Sequence, residues 1–103
     1  MEHLVTTRAW VVKGEVADAD LTWHRFVECC QKAGLSIFDL HNYHFPGGGM
    51  SGAVILGESH AAIHTWPERG CAWCELATCG DPAGLDRMES ELGKVWTVKV
   101  ANS

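Results

Sequence analysis

Gly52-Ala53-Val54-Ile55-Leu56-Gly57-Glu58-Ser59-His60-Ala61-Ala62-Ile63-His64-Thr65-Trp66 is the stretch on which the fold turns. Residues 52–57 read as a short apolar strand. Residues 59–66 read as a second one, ended by Pro67. Just upstream, Pro46-Gly47-Gly48-Gly49 must be a loop, because consecutive glycines reach backbone angles that other residues avoid. Further upstream, residues 35–45 look like another strand. Residues 21–33 read as an amphipathic helix with Leu21, Phe26, Val27 and Cys30 inward, an N-cap drawn from residues 17–20, and Gly34 as the stop. Residues 3–13, with Val5, Trp10, Val11 and Val12, read as the first strand.

Downstream, residues 71–79 are extended again and Gly80-Asp81-Pro82 closes them. Residues 85–92 read as a short helix, and residues 95–101 as a final strand with Val-x-Val alternation. The order β-α-β-β-β-β-α-β predicts an α+β fold, a two-layer α/β sandwich in which an antiparallel or mixed sheet carries two helices on one face.

The chain has 103 residues, the size of one domain, and 47% of them are hydrophobic. A domain this small buries about two thirds of its unfolded surface, so self-association into a homodimer would add burial. Thirteen acidic residues against eight basic ones give a formal net charge of −5. The basic residues are scattered, which argues against nucleic acid or an anionic membrane as partner and leaves a small-molecule substrate. No apolar run is long enough to span a bilayer, and Met1-Glu2-His3-Leu4 does not begin a signal peptide. Five cysteines, two of them adjacent at Cys29 and Cys30, suit reduced thiols in a cytoplasm better than a disulfide framework.

Polar residues crowd the middle of this apolar pattern: Ser51, Glu58-Ser59-His60, His64 and Cys79. Inside strands such groups are costly without partners. Each alone has an ordinary explanation, a serine bonding the backbone, a satisfied structural histidine, a cysteine serving as a small hydrophobe. No Gly-x-Ser-x-Gly elbow surrounds Ser59, so a hydrolase triad is not indicated. His60, His64, Cys71 and Cys74 have the residue types of a zinc site. If residues 71–79 form a strand, however, positions 71 and 74 face opposite sides and cannot converge, so no metal is expected.

Taken jointly, Ser51 through Glu68, with Glu58-Ser59-His60 and Ile63-His64-Thr65-Trp66-Pro67-Glu68, followed by Thr78-Cys79-Gly80-Asp81, resemble the prokaryotic S-adenosylmethionine decarboxylase proenzymes. The resemblance covers roughly residues 45–81. It implies a self-processing enzyme in which Ser59 attacks the Glu58 carbonyl and becomes a pyruvoyl group, Ser51 stabilises the tetrahedral intermediate, and His64 removes the Ser59 α-proton. Residues 1–58 and 59–103 then become separate chains of one domain. The pyruvoyl group takes the substrate amine as a Schiff base and acts as electron sink, and Cys79 returns a proton to the substrate carbon. Phe45 and Trp66 resemble positions that pack around the nucleoside, and Glu68 one that holds ribose hydroxyls. The resemblance also implies a homodimer of processed protomers, located in the cytoplasm and serving polyamine synthesis.

The N-terminal third departs from this pattern. The first strand has Arg8 and no acid, Ala77 stands where an aromatic residue is usual, Cys71 where tyrosine is common and Glu75 where aspartate is common. These changes leave decarboxylation of ornithine or arginine as an alternative to S-adenosylmethionine.

Overall fold

The computed structural model describes residues 5–57, 59–79 and 81–101. Chain order is β1 (Thr6–Lys13), α1 (Ala19–Lys32), β2 (Asp39–His44), β3 (Met50–Leu56), β4 (Ser59–Trp66), β5 (Cys71–Thr78), α2 (Ala83–Val95) and β6 (Thr97–Val100), with a single 3-10 turn, Pro67–Arg69, before β5. The six strands form one sheet in the order β2-β3-β4-β5-β1-β6, and every pairing is antiparallel. The expected α+β architecture and element order are both found.

Register explains why the core lies on one side. Residues i and i+2 of a strand share a face. Trp10 and Val12 of β1, Met50 and Val54 of β3, Ala61 and Ile63 of β4, and Ala72, Cys74 and Leu76 of β5 are therefore brought to the same face. Phe26, Cys29 and Cys30 of α1 and Leu85, Met88 and Leu92 of α2 close over them. The alternate residues, Ser51, Ala53, Ala62, His64 and Trp73 among them, fall on the face away from the helices.

Local signals account for the helix ends. The Asp18 side chain accepts the Leu21 N–H at 3.0 Å, satisfying one of the donors that a helix start leaves free. Gly34, just past the end of α1, has φ +81°, a left-handed value that glycine adopts without strain. Phe26 and Cys30 are buried as expected and Val27 is partly so, but Leu21 is 41% exposed. Leu21 sits in the first turn, and the inward position there is taken by Thr22. The strand expected over residues 35–45 is shorter. Leu35 and Ile37 pack on the core from a connecting segment, and pairing with β3 begins at Asp39. The last strand is shorter too, because Val95 completes α2 and Trp96 turns the chain. The first two residues of the expected first strand, His3 and Leu4, lie outside the described residues, as do Glu58 and Gly80.

The Trp23 side chain of α1 packs onto the sheet at Gly52 of β3. A Cβ built there would lie 2.2 Å from the Trp23 ring. The indole lies against bare backbone and stacks on Phe26, with ring centroids 6.3 Å apart. Gly52→Ala should therefore lower stability by about 2 kcal/mol, as overpacking does. Urea unfolding will measure this, and the loss should shrink when Trp23 is first replaced by leucine.

Burial pushes the Cys29 thiol up to about 11 and the Cys30 thiol up to about 12, and raises Cys74 as well. The fold keeps these thiols protonated, whereas an unfolded chain ionises them from about pH 8.5 upward. The stability they contribute is present below that pH and is lost as pH climbs towards the folded values. Thermal unfolding between pH 8 and pH 11 should show this decline, and Cys30→Ala should flatten it.

Candidate active site

The strand β4 carries Ser59 at its first position and His64 at its sixth. Five steps along a strand span roughly 17 Å, and an odd number of steps places the two residues on opposite faces. The polar residues of the sequence pattern thus separate into two groups.

The first group gathers at the start of β4. The Cys79 backbone N–H donates to Ser59 Oγ at 3.2 Å, and the Cys79 Sγ lies 3.7 Å from the same oxygen. β4 and β5 run antiparallel, so the end of β5 lies beside the beginning of β4, and two residues twenty positions apart come into contact. Both residues line a cavity of about 320 Å³ walled by Leu35, Leu56 and Leu76. Cys79 is exposed, unlike Cys29, Cys30 and Cys74.

The second group sits on the helix-free face. Ser51 of β3 and His64 of β4 are directly paired in the ladder, and Ser51 Oγ lies 2.8 Å from His64 Nδ1. The Pro46–Gly49 loop bends back over them, with Gly47, Gly48 and Gly49 all at positive φ. A cavity of about 370 Å³ results, lined by Phe45, Ser51, His64, Trp66 and Glu68. Its wall is fixed from below, because Thr65 Oγ1 accepts the Met50 N–H at 2.8 Å inside the core. Phe45 is exposed, and its ring meets the edge of Tyr43 at 5.0 Å.

Phe45, Ser51, His64, Trp66 and Glu68 therefore share one cavity, and Ser59 shares the other with Cys79. Sequence reasoning missed Tyr43, which β2 pairs with Ser51 and which flanks Ser51 and His64 on the open face beside this cavity. Only the register could have revealed that. It also missed Arg87, which lines the Ser59 cavity from α2 and had no signal beyond a helical position.

Arg8 has a structural place. Its Nη1 donates to Asp86 Oδ1 at 2.8 Å and to Glu89 Oε1 at 3.2 Å, and the Trp10 indole N–H donates to the same Glu89 oxygen at 2.8 Å. The hydrogen bond to Asp86, foremost, raises the Arg8 pKa. Arg8 thus ties β1 to α2. The four zinc-type side chains do not converge. Cys74 is buried among the helices, while Cys71 lies on the other face beside Trp66. Among the described residues no cluster of three or more His, Cys, Asp or Glu could hold a metal, and no helix is long and apolar enough to cross a membrane.

Residues 3–100 match the family model for S-adenosylmethionine decarboxylase. The chain belongs to the S-adenosylmethionine decarboxylase family. Within that family it is 44% identical over 66 residues to a proenzyme of Acidithiobacillus ferrooxidans, a match covering 64% of this chain and 50% of that protein. It is 33% identical over 85 residues to the proenzyme of Pyrococcus abyssi, covering 82% of this chain and 61% of that protein. The chain therefore spans about half to three fifths of the length of these relatives. Its fold is also that of the adenosylmethionine decarboxylase crystal structure from Aquifex aeolicus, with TM-score 0.72 and 29% identity over 95% of this chain and 88% of that one.

The contrast between the thiols is directly measurable. Under native conditions a thiol reagent should label Cys79 first and half-buried Cys71 more slowly. Cys29, Cys30 and Cys74 should react only after unfolding, which peptide mapping of the labelled protein will distinguish.

Proposed function

We propose that this chain is a self-processing, pyruvoyl-dependent S-adenosylmethionine decarboxylase whose working site is completed by a second copy. The observation that carries the reading is the contact of Ser59 with the Cys79 N–H and thiol, in a chain whose family relatives are named proenzymes.

Ser59 Oγ attacks the Glu58 carbonyl carbon, and collapse of the tetrahedral intermediate moves the acyl group from nitrogen to oxygen as an ester. Ser51 hydrogen-bonds that intermediate. Removal of the Ser59 α-proton by His64, a base suited to neutral pH, expels the Glu58 carboxylate by β-elimination. The remaining dehydroalanine takes up water and releases ammonia, leaving a ketone at the head of residues 59–103. The pocket beside Ser59 has room for that group and a substrate. When present, the pyruvoyl group supplies the electron sink for loss of carbon dioxide. Cys79, already aimed at residue 59, returns the proton to substrate carbon.

The separation of Ser59 from Ser51 and His64 supports a homodimer. No side-chain motion spans roughly 17 Å and a sheet, so these roles require Ser51 and His64 of a second copy beside residue 59 of the first. The open face offers Ala53, Ala62 and Tyr43 around His64, an apolar surface suited to pairing. Phe45, Trp66 and Glu68 come with that half, so each copy brings the nucleoside pocket to the other's reactive end. Aromatic faces there attract a sulfonium cation by about 0.5–2 kcal/mol, and Glu68 accepts from ribose hydroxyls. This gathered pocket and the engagement of Arg8 by α2 favour S-adenosylmethionine over ornithine or arginine. The product would supply aminopropyl groups for polyamines, and five cysteines outside any disulfide suit a reducing cytoplasm.

Mass analysis under denaturing conditions should resolve two chains, residues 1–58 and residues 59–103 with a blocked, carbonyl-bearing end. Ser59→Ala and His64→Ala should each remain uncut. Mixed and refolded together, they should yield cut chains, all derived from the His64→Ala partner. Cys79→Ala should still cleave but lose at least 100-fold in turnover. Cleavage of Ser59→Ala at the same bond defeats the reading.

A further inference from the structure

Arg87 shares the cavity of Ser59 and Cys79 and is its one cationic residue among those described. It lies on the second turn of α2, where its Nε–H donates to the Ala33 carbonyl at the end of α1 at 2.8 Å. That bond fixes the guanidinium plane and occupies one of its five N–H donors. The four donors on Nη1 and Nη2 meet no carboxylate among the described residues. Arg8 is the contrast, with its charge taken up by Asp86 and Glu89. Asp81 also lines the cavity, but its Oδ1 accepts the Ala83 N–H at 2.9 Å and forms no ion pair with Arg87. The N-terminal end of α2 adds positive potential on the same wall.

The chemistry at position 59 defines what this cation meets. A substrate amino group must approach the residue-59 carbonyl, and in an α-amino acid the carboxylate is borne on the same carbon. It therefore lies within a few ångströms of the reacting atoms, inside a cavity that Arg87 lines together with Leu35, Leu56 and Leu76. We propose that Arg87 is a specificity-determining residue that receives the substrate α-carboxylate through charge-assisted N–H···O bonds from Nη1 and Nη2. The inference rests on the decarboxylase reading. The contact distinguishes substrate from product. Once carbon dioxide has gone, the remaining amine has nothing for Arg87 to hold, so substrate binds more tightly than the product that must leave.

The test uses processed protein whose carbonyl has been reduced with borohydride, so that ligands bind without turnover. Equilibrium binding is measured for S-adenosylmethionine and for its decarboxylated amine. Arg87→Met should weaken S-adenosylmethionine at least tenfold and leave the amine within twofold. Arg87→Lys should restore part of the difference. Circular dichroism spectra and thermal midpoints of both variants matching the wild type report an intact fold. Equal weakening of the two ligands, or of neither, overturns the role of Arg87. Failure of the wild-type chain to cleave, seen before any ligand is added, instead overturns the decarboxylase reading and the inference with it.

Discussion

The whole arrangement depends on the alternation of side chains along β4, held in register by β3 and β5. Ser59, Ala61, Ile63 and Thr65 point to the helices, and His60, Ala62, His64 and Trp66 to the open face. Ala61 and Ile63 are fully buried, so the strand cannot slip by one residue without exposing them and burying His60 and His64. Hydrophobic burial thereby fixes which face Ser59 and His64 each occupy. The division of the site into two halves is a consequence of that lock.

Each half is supported by groups that do no chemistry. Thr65 bonds Met50 beneath the His64 cavity, and the glycine loop at 47–49 forms part of its rim. At the other end, antiparallel pairing brings Cys79 to Ser59, and the α1–α2 layer closes the cavity from behind. Arg8 illustrates how a departure from the family pattern can be absorbed. Its charge lies between two acids of α2, and a third partner, Trp10, completes the cluster. A substitution that looks functional in a linear sequence is here part of the packing between layers.

Element order was legible because the apolar runs are short, clearly bounded by glycine and proline, and strongly periodic. The Asp18 cap and the stop at Gly34 follow from residue chemistry that acts locally. The errors have equally local causes. Leu21 is apolar at a helix start, where the first turn projects beyond the sheet, and Thr22 takes the inward place. Leu35 and Ile37 are apolar because they cover the core from a connection, not because they pair in a strand. Hydrophobicity reports burial and does not by itself report hydrogen-bond partners.

For the site, the identity and spacing of Ser51, Ser59, His64 and Cys79 were enough to mark the family, because uncommon residues recur at fixed offsets along the chain. Strand parity could even place Ser59 and His64 on opposite faces once β4 was recognised. Which distant residues would share a cavity was a different matter. Cys79 beside Ser59 and Arg87 on the wall of the cavity they share both follow from strand order and helix packing. Those contacts join segments tens of residues apart, and no local rule of backbone or side chain encodes them. They are set by how the sheet and the two helices together bury one apolar face.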